Sequence, residues 1–182
     1  MNRIQKLINA YSLHLTIPWR ADAAPPQRVI FCVYDARDER ILRANLAEFE
    51  IATGQAGHLW RMFDLRGTFA AWLVAQKYAE KYFQNPANLN SMALARYLDW
   101  LVENFERAVP ESARETDLVV ALTGVAEVFG FFKVKSLLDK LAPKIAGRLV
   151  VFFPGSRQEN NYRLLDAYDG WNYHATSLTA DM

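Results

Sequence analysis

Apolar and polar positions alternate along this chain in two rhythms, one helical and one extended. Residues 2–15 place Ile4, Leu7, Ile8 and Tyr11 at helical spacing, which predicts an amphipathic opening helix over 1–15. "ADAAPPQ" (21–27) reads as a linker that Pro25-Pro26 holds extended. "RVIFCVYD" (28–35) is a short unbroken apolar run rich in β-branched and aromatic residues, the pattern of a strand covered on both faces. Asp38 then caps a helix whose inward face is Ile41, Leu42, Leu46 and Phe49, and "TGQAG" (53–57) breaks it.

"HLWRMFDL" (58–65) predicts a second strand, and Thr68 opens a helix carrying Phe69, Trp72 and Leu73 that runs to about residues 84–90. The clearest helix spans 91–109. Leu94, Leu98, Leu101, Val102 and Phe105 share one face, with Arg96, Asp99, Glu103 and Arg107 on the other. "DLVVALTG" (117–124) predicts a third strand, a helix runs from about Ser136 to Leu141, and "RLVVFF" (148–153) predicts a fourth strand ending at Pro154-Gly155. Asp169-Gly170 reads as a tight turn that sends "WNYHATSL" back as a last short strand. Strands alternating with helices predict an α/β, three-layer Rossmann-like fold: a mainly parallel sheet of about 4–5 strands flanked by helices, as a single domain over 1–182 with its core at 28–178.

Composition narrows the function classes. Of 182 residues, 52% are apolar or aromatic and the formal net charge is +1, which suits a compact core and argues against binding to a nucleic-acid backbone. Cys32, the only cysteine, lies inside the first apolar run and reads as a core thiol. "MNRIQKLINAYSLHL" lacks the continuous apolar stretch of a signal peptide, and no segment is apolar enough to span a bilayer, so the expectation is a cytoplasmic protein.

Ligands of open parallel sheets bind beyond the carboxyl ends of the strands. The residues expected there include Asp35, Asp64, Thr123 and the Pro154-Gly155 turn. Two carboxylates on one edge suit Mg²⁺-assisted phosphate chemistry. Acidic residues also end strands simply as Asx turns, and this is the stronger reading of the pair. "DARDER" and "TGVAEVFGFFKVKS" contain no Gly-Lys-Ser/Thr, which argues against a phosphate-binding loop. His14, His58 and His174 fall in distant segments without metal-ligand spacing, and no serine has a Gly-x-Ser-x-Gly setting. "KVK" (133–135) reads as a solvated helix entry. No cofactor is therefore expected.

"FFPGSRQENNYRLLDAYDGWNY" (152–173) differs in kind, gathering Asn, Arg, Asp, Tyr and Trp in one short stretch. Arg, Tyr and Trp are over-represented in interface hot spots. Arg163 and Asp166 would pair if "YRLLDAY" made a helical turn. The segment either ties the chain end to the sheet or forms a partner surface, and the two are compatible.

This closing segment, with "FCVYDARDERILRANLAEF" (31–49) and "ALTGVAEVFGFFKVKSLLDKL" (121–141), resembles the BrxB-like family of small proteins from bacterial BREX (bacteriophage exclusion) defence loci. The resemblance covers about residues 28–178. Tyr34, Asp35, Glu39 and Arg43 carry the first motif, and Ser136, Leu137 and Leu138 the middle one. Phe153, Pro154, Gly155, Asn160, Asn161, Tyr162, Arg163, Leu164, Leu165, Asp166, Asp169, Gly170, Trp171, Asn172 and Tyr173 carry the last. Gly130 stands where the pattern has proline, and Tyr168 where it has a basic residue.

The resemblance implies a bacterial, cytoplasmic phage-defence component, and since the residues offer no catalytic constellation the expectation is a non-catalytic adaptor that bridges larger subunits. Its partners would be a PglZ-like phosphatase-fold protein above all, a BrxC-type ATPase and a PglX-type methyltransferase. The motif residues would be partner-binding, and no catalytic residue carries over. The competing expectation is a degenerate nucleotide- or phosphate-binding enzyme or sensor at the carboxyl edge of the sheet, using Asp35, Asp64, Thr123 and Arg163.

Overall fold

A computed structural model of the chain describes residues 1–109, 115–159, 161–165, 167–168 and 175–181. Strands β1 (Val29–Tyr34), β2 (Leu59–Asp64), β3 (Leu118–Thr123), β4 (Arg148–Gln158), β5 (Asn161–Leu164), β6 (Ala167–Tyr168) and β7 (Thr176–Leu178) form one sheet. Its main row runs β2-β3-β4-β1-β7, and every pairing along that row is parallel. The helices are α1 (Arg3–Leu15), α2 (Glu39–Ala44), α3 (Leu46–Gln55), α4 (Thr68–Val74), α5 (Ala79–Gln84), α6 (Ser91–Ala108) and α7 (Val134–Leu141).

Successive side chains of a strand face opposite sides of a sheet, and that alternation builds two cores. Val29, Phe31 and Val33 join Val120, Leu122, Val151 and Phe153 beneath α4, α6 and α7. Ile30, Cys32 and Tyr34 join Val119, Ala121, Val150 and Phe152 beneath α1 and α3. The result is the expected three-layer, Rossmann-like α/β architecture. Each fully buried large apolar side chain in these layers contributes roughly 1.5–3 kcal/mol before ordering entropy is subtracted.

The helices form where their caps and faces agree. The Asn2 side chain accepts from the Gln5 N–H at 2.8 Å at the start of α1, whose buried face is Ile4, Leu7, Ile8, Tyr11 and Leu15. At its far side α1 is tied to α3 through a directed chain: the Tyr11 hydroxyl lies 2.7 Å from Thr53 Oγ1, which itself donates to the Phe49 carbonyl at 2.8 Å. Asn90 caps α6 by accepting from Ala93 N–H at 3.0 Å, and the buried face is Ala93, Tyr97, Leu98, Leu101 and Phe105. Leu98, Leu101 and Phe105 face inward as expected, whereas Leu94 and Val102 are half-buried and Ala93 and Tyr97 take inward positions.

Several boundaries differ from expectation for identifiable reasons. The helix after β1 is divided at Asn45, where ψ is 9° and the side chain bonds back to the Ile41 carbonyl. Asp38 stands at the cap position of α2 without a capping bond, because Asp35 has already capped the 3₁₀ turn Ala36–Asp38 before it. The helix opened by Thr68 is likewise two, α4 and α5. In the linker, Ala24 is extended as a residue before proline should be, but Pro25–Arg28 make a 3₁₀ turn, since proline's φ also fits a first helical position.

The largest departure is at Pro154-Gly155. β4 does not stop there but continues to Gln158 and turns back into β5. "NYRL" (161–164) is therefore extended, not helical, and Leu165 turns at φ 55°, so the proposed helical pairing of Arg163 with Asp166 has no helix to form it. Asp166 itself lies outside the described residues, as do Asn160, Asp169, Gly170, Trp171, Asn172, Tyr173 and His174.

Candidate functional site

The carboxyl ends of β1 and β2 are built alike. Asp35 accepts from the Arg37 backbone N–H at 2.9 Å and from its guanidinium Nη2 at 2.6 Å, and Arg3 Nη1 adds a contact at 3.2 Å. Asp64 accepts from the Arg66 backbone N–H at 3.1 Å and from Arg66 Nε at 2.8 Å. Each aspartate forms an Asx turn closed by the arginine two residues on. The Arg37 side chain, then its backbone N–H, hold the Asp35 carboxyl well below the usual carboxylate range. Partial burial pushes Asp64 up, but the Arg66 hydrogen bonds outweigh it and the carboxyl sits low. A carboxylate so held is ionised near neutral pH and is no proton donor there.

Thr123 is the register partner of Asp64 at the end of β3. Its buried hydroxyl has no partner at hydrogen-bond distance but lies close enough to Asp64 to favour the charged carboxylate. Gly124 follows at φ 70°, and a Cβ there would stand 2.7 Å from Arg66 Cγ and 2.8 Å from Asp64 Oδ1. Glycine is needed both for the left-handed turn and for the close approach.

Asp64 and Thr123 are thus neighbours, whereas β3 and β4 stand between Asp64 on β2 and Asp35 beyond β1. Three strand spacings place those carboxylates ~14 Å apart. Arg163 lies on β5, opposite Ser156, out past the end of the parallel row. Among the described residues no group of three His, Cys, Asp or Glu side chains is placed to hold a metal ion.

Beside Asp35 is a cleft of about 240 Å³ lined by Arg3, Asp35, Asp38, Gly155, Arg157 and Asp181, among others. Tyr34 lies at its rim. Its hydroxyl donates to Glu39 Oε2, while Glu39 Oε1 accepts from Arg43 Nε at 2.7 Å. Burial first, and then the Glu39 carboxylate, push the Tyr34 phenol far above its ordinary pKa. Tyr34, Glu39 and Arg43 therefore form one chain that fastens β1 to α2.

The hairpin of β4 and β5 is the other half of the site. Gly155 pairs with Leu164, Ser156 with Arg163, Arg157 with Tyr162 and Gln158 with Asn161. Glu159 enters the turn at φ 55°, and its carbonyl accepts from Arg157 Nε at 2.6 Å. The strand alternates: Tyr162 and Leu164 are buried, Asn161 and Arg163 exposed. The Tyr162 ring lies 4.7 Å from Phe31 and 5.7 Å from Phe153, anchoring the hairpin in the core. Pro154 contributes its carbonyl, which accepts from Leu165 N–H at 2.8 Å.

A family model described as "BREX protein BrxB" matches residues 61–178, more than half of the chain. The chain belongs to the BrxB family. It is thereby a component of a BREX phage-defence system. No curated protein and no solved structure matches. The BrxB match takes in Asp64, Thr123 and the whole hairpin, and begins after the Tyr34–Arg43 motif.

Other candidate groups lie apart from this edge. Cys32 is fully buried in β1, and burial pushes its thiol far above the nucleophilic range. Lys135 pairs with Asp139 one helical turn on, as a solvated helix entry would. No helix among the described residues is long and apolar enough to cross a membrane. Sequence reasoning missed a cluster at the opposite edge of the sheet, where Trp19 stacks on His58 with ring centres 3.8 Å apart and Arg148 lies over the same indole at 4.6 Å. Its members are distant in sequence and meet only through strand order, so no local signal marks them.

Proposed function

We propose that this BrxB protein is a non-catalytic adaptor that bridges larger BREX subunits in the cytoplasm. The observation that carries the reading is the β4–β5 hairpin: Tyr162 and Leu164 fix it in the core while Asn161 and Arg163 stand exposed beyond the parallel row. An arginine held on a rigid, anchored strand loses little entropy on binding and is a common hot-spot residue. The strand-end acids support the same reading from the other side, since each is neutralised by its own arginine. The partner favoured is the PglZ-like phosphatase-fold protein, ahead of the BrxC-type ATPase and the PglX-type methyltransferase, with no direct role for nucleic acid. Asn160, Asp166, Asp169, Trp171, Asn172 and Tyr173 would extend this surface.

The test is to tag the protein in its native cell, purify it gently and identify by mass spectrometry what elutes with it, beside the variants Arg163→Ala and Trp171→Ala. The expected result is stoichiometric recovery of one large BREX subunit, lost by at least ~10-fold in the variants, with cooperative unfolding retained; ~1.4 kcal/mol of binding energy corresponds to that factor. Recovery of this chain alone would overturn the adaptor reading.

One observation favours a second reading, a small-ligand sensor at the carboxyl edge: the cleft beside Asp35 is concave and mixes carboxylates with Arg3 and Arg157. A ligand at a hundredfold excess over Kd raises stability by ~2.7 kcal/mol. Melting with nucleotides and Mg²⁺ that leaves Tm unmoved would reject this reading and leave the adaptor standing.

A further inference from the structure

The amino edge of the sheet holds an arrangement of charge that the BREX role does not use. Arg148 opens β4 and is 8% exposed, yet among the described residues its one hydrogen bond is from Nη1 to the carbonyl of the preceding Gly147, at 3.1 Å. No carboxylate among the described residues pairs with it. Arg28, which opens the way into β1, is placed alike: its guanidinium donates to the carbonyls of Ala23 and Ile145, at 2.8 and 2.9 Å, and meets no carboxylate among the described residues. The two cations repel, and burial, followed by Arg28, disfavours the charge on Arg148. The one acid on the adjoining linker, Asp22, is already engaged by Arg20.

A buried guanidinium has five N–H donors and loses its hydration unless they are met. Arg148 meets one of them among the described residues. Its Cζ lies 4.6 Å from the centre of the Trp19 ring, which is itself stacked on His58, and these contacts restrict the side chain. The Trp19 Nε1–H is itself buried without an acceptor among the described residues. Arg148 and Trp19 line a cleft of about 280 Å³, together with His14, Gln27 and Thr176. That volume stands just below the ~300–1,000 Å³ typical of small-molecule sites.

We propose that this cleft binds a small anionic molecule through a carboxylate or phosphate group received by the Arg148 guanidinium. A guanidinium can give two parallel hydrogen bonds to one oxyanion, which would supply the charge partner that Arg148 lacks among the described residues. His14 and Thr176 offer further polar atoms to such a molecule at the wall of the cleft. The site is separate from the carboxyl edge and does not rest on the adaptor reading.

The experiment is an NMR titration of the full ¹⁵N-labelled chain with inorganic phosphate and, in a second arm, with acetate, at constant ionic strength balanced by chloride. The Trp19 indole N–H and the Arg148 Nε–H are followed, the former assigned with Trp19→Phe. Saturable shifts of both signals are expected, and the arm with the lower Kd names the group. Arg148→Met should weaken the affinity by at least ~10-fold, as loss of a charged hydrogen-bond donor does, with Arg107→Gln, on α6 across the sheet, as an unaffected control. Arg148→Lys, which keeps the charge but not the fork, should weaken it as well and replaces the methionine variant if that does not fold. Linear, unsaturable shifts in both arms, saturation that spares both signals, or saturation unchanged in either Arg148 variant would overturn the proposal.

Discussion

A Cβ on Gly155 would stand 1.9 Å from the carbonyl oxygen of Arg163, so the residue that lets β4 continue is also the one that lets β5 lie against it. The same position shows why the hairpin was hard to foresee. Pro-Gly normally punctuates a strand, and here the proline sits at the last register position shared with β1, opposite Tyr34, while the glycine begins the antiparallel pairing. Gly155→Ala must push the two backbones apart. Overpacking of this kind costs ~1–3 kcal/mol, and chemical denaturation should show that loss, with hydrogen exchange at Tyr162 and Leu164 accelerated ahead of α6. An unchanged denaturation midpoint would mean that the strands do not approach as described.

What was legible and what was not follows from where each signal resides. β1 was readable because all six of its residues face protein, so its sequence is an unbroken apolar run. The Asx turns at Asp35 and Asp64 were readable because they are local, each closed by an arginine two positions away. The in-and-out alternation of "NYRL" was present in the letters too, but four residues are too short a window to separate a strand from a helical turn. The Trp19–His58–Arg148 stack was not readable at all, since only the order β2-β3-β4 brings those segments together.

Tyr11 and Thr53 offer a clean test of a buried polar link. Thr53 donates to the Phe49 carbonyl, so it receives its second bond from the Tyr11 hydroxyl, and both residues are fully buried. Thr53→Val removes the acceptor and strands that hydroxyl, at a cost of ~1–3 kcal/mol. Tyr11→Phe leaves Thr53 still bonded to Phe49 and should cost less, ~0.5–1.5 kcal/mol. The double variant should then be less destabilised than the sum of the two, with the coupling read from urea denaturation midpoints.

The chain of Tyr34, Glu39 and Arg43 separates a structural motif from a contact surface. The Tyr34 ring is buried and its hydroxyl is spent on Glu39. Tyr34→Phe should therefore lower stability by ~0.5–1.5 kcal/mol while leaving co-purification of a BREX partner intact. Arg163→Ala should do the reverse, since its strand neighbours Tyr162 and Leu164 keep the hairpin anchored. Comparing Tm with partner recovery for the two variants distinguishes the roles, and a loss of partner in Tyr34→Phe at unchanged Tm would place the contact at β1 instead.

The depressed carboxyls at the strand ends fix the sign of an acid limb. Arg37 lowers the Asp35 pKa in the folded chain, and Arg66 does so for Asp64 against the opposing effect of burial. A group whose pKa falls on folding adds stability that is fully present above its unfolded value, ~3.9 for aspartate, and loses it as pH drops through the folded value. Both contributions are therefore intact at neutral pH and fade below about pH 4. Asp35→Asn and Asp64→Asn should each lower Tm at pH 7, and that deficit should shrink as pH falls toward 3. Thermal melts of the wild type and both variants across this range are the measurement. A deficit that stays constant would show that the asparagine disturbs the turn itself, since the loss of an ion pair would fade as the carboxylate protonates.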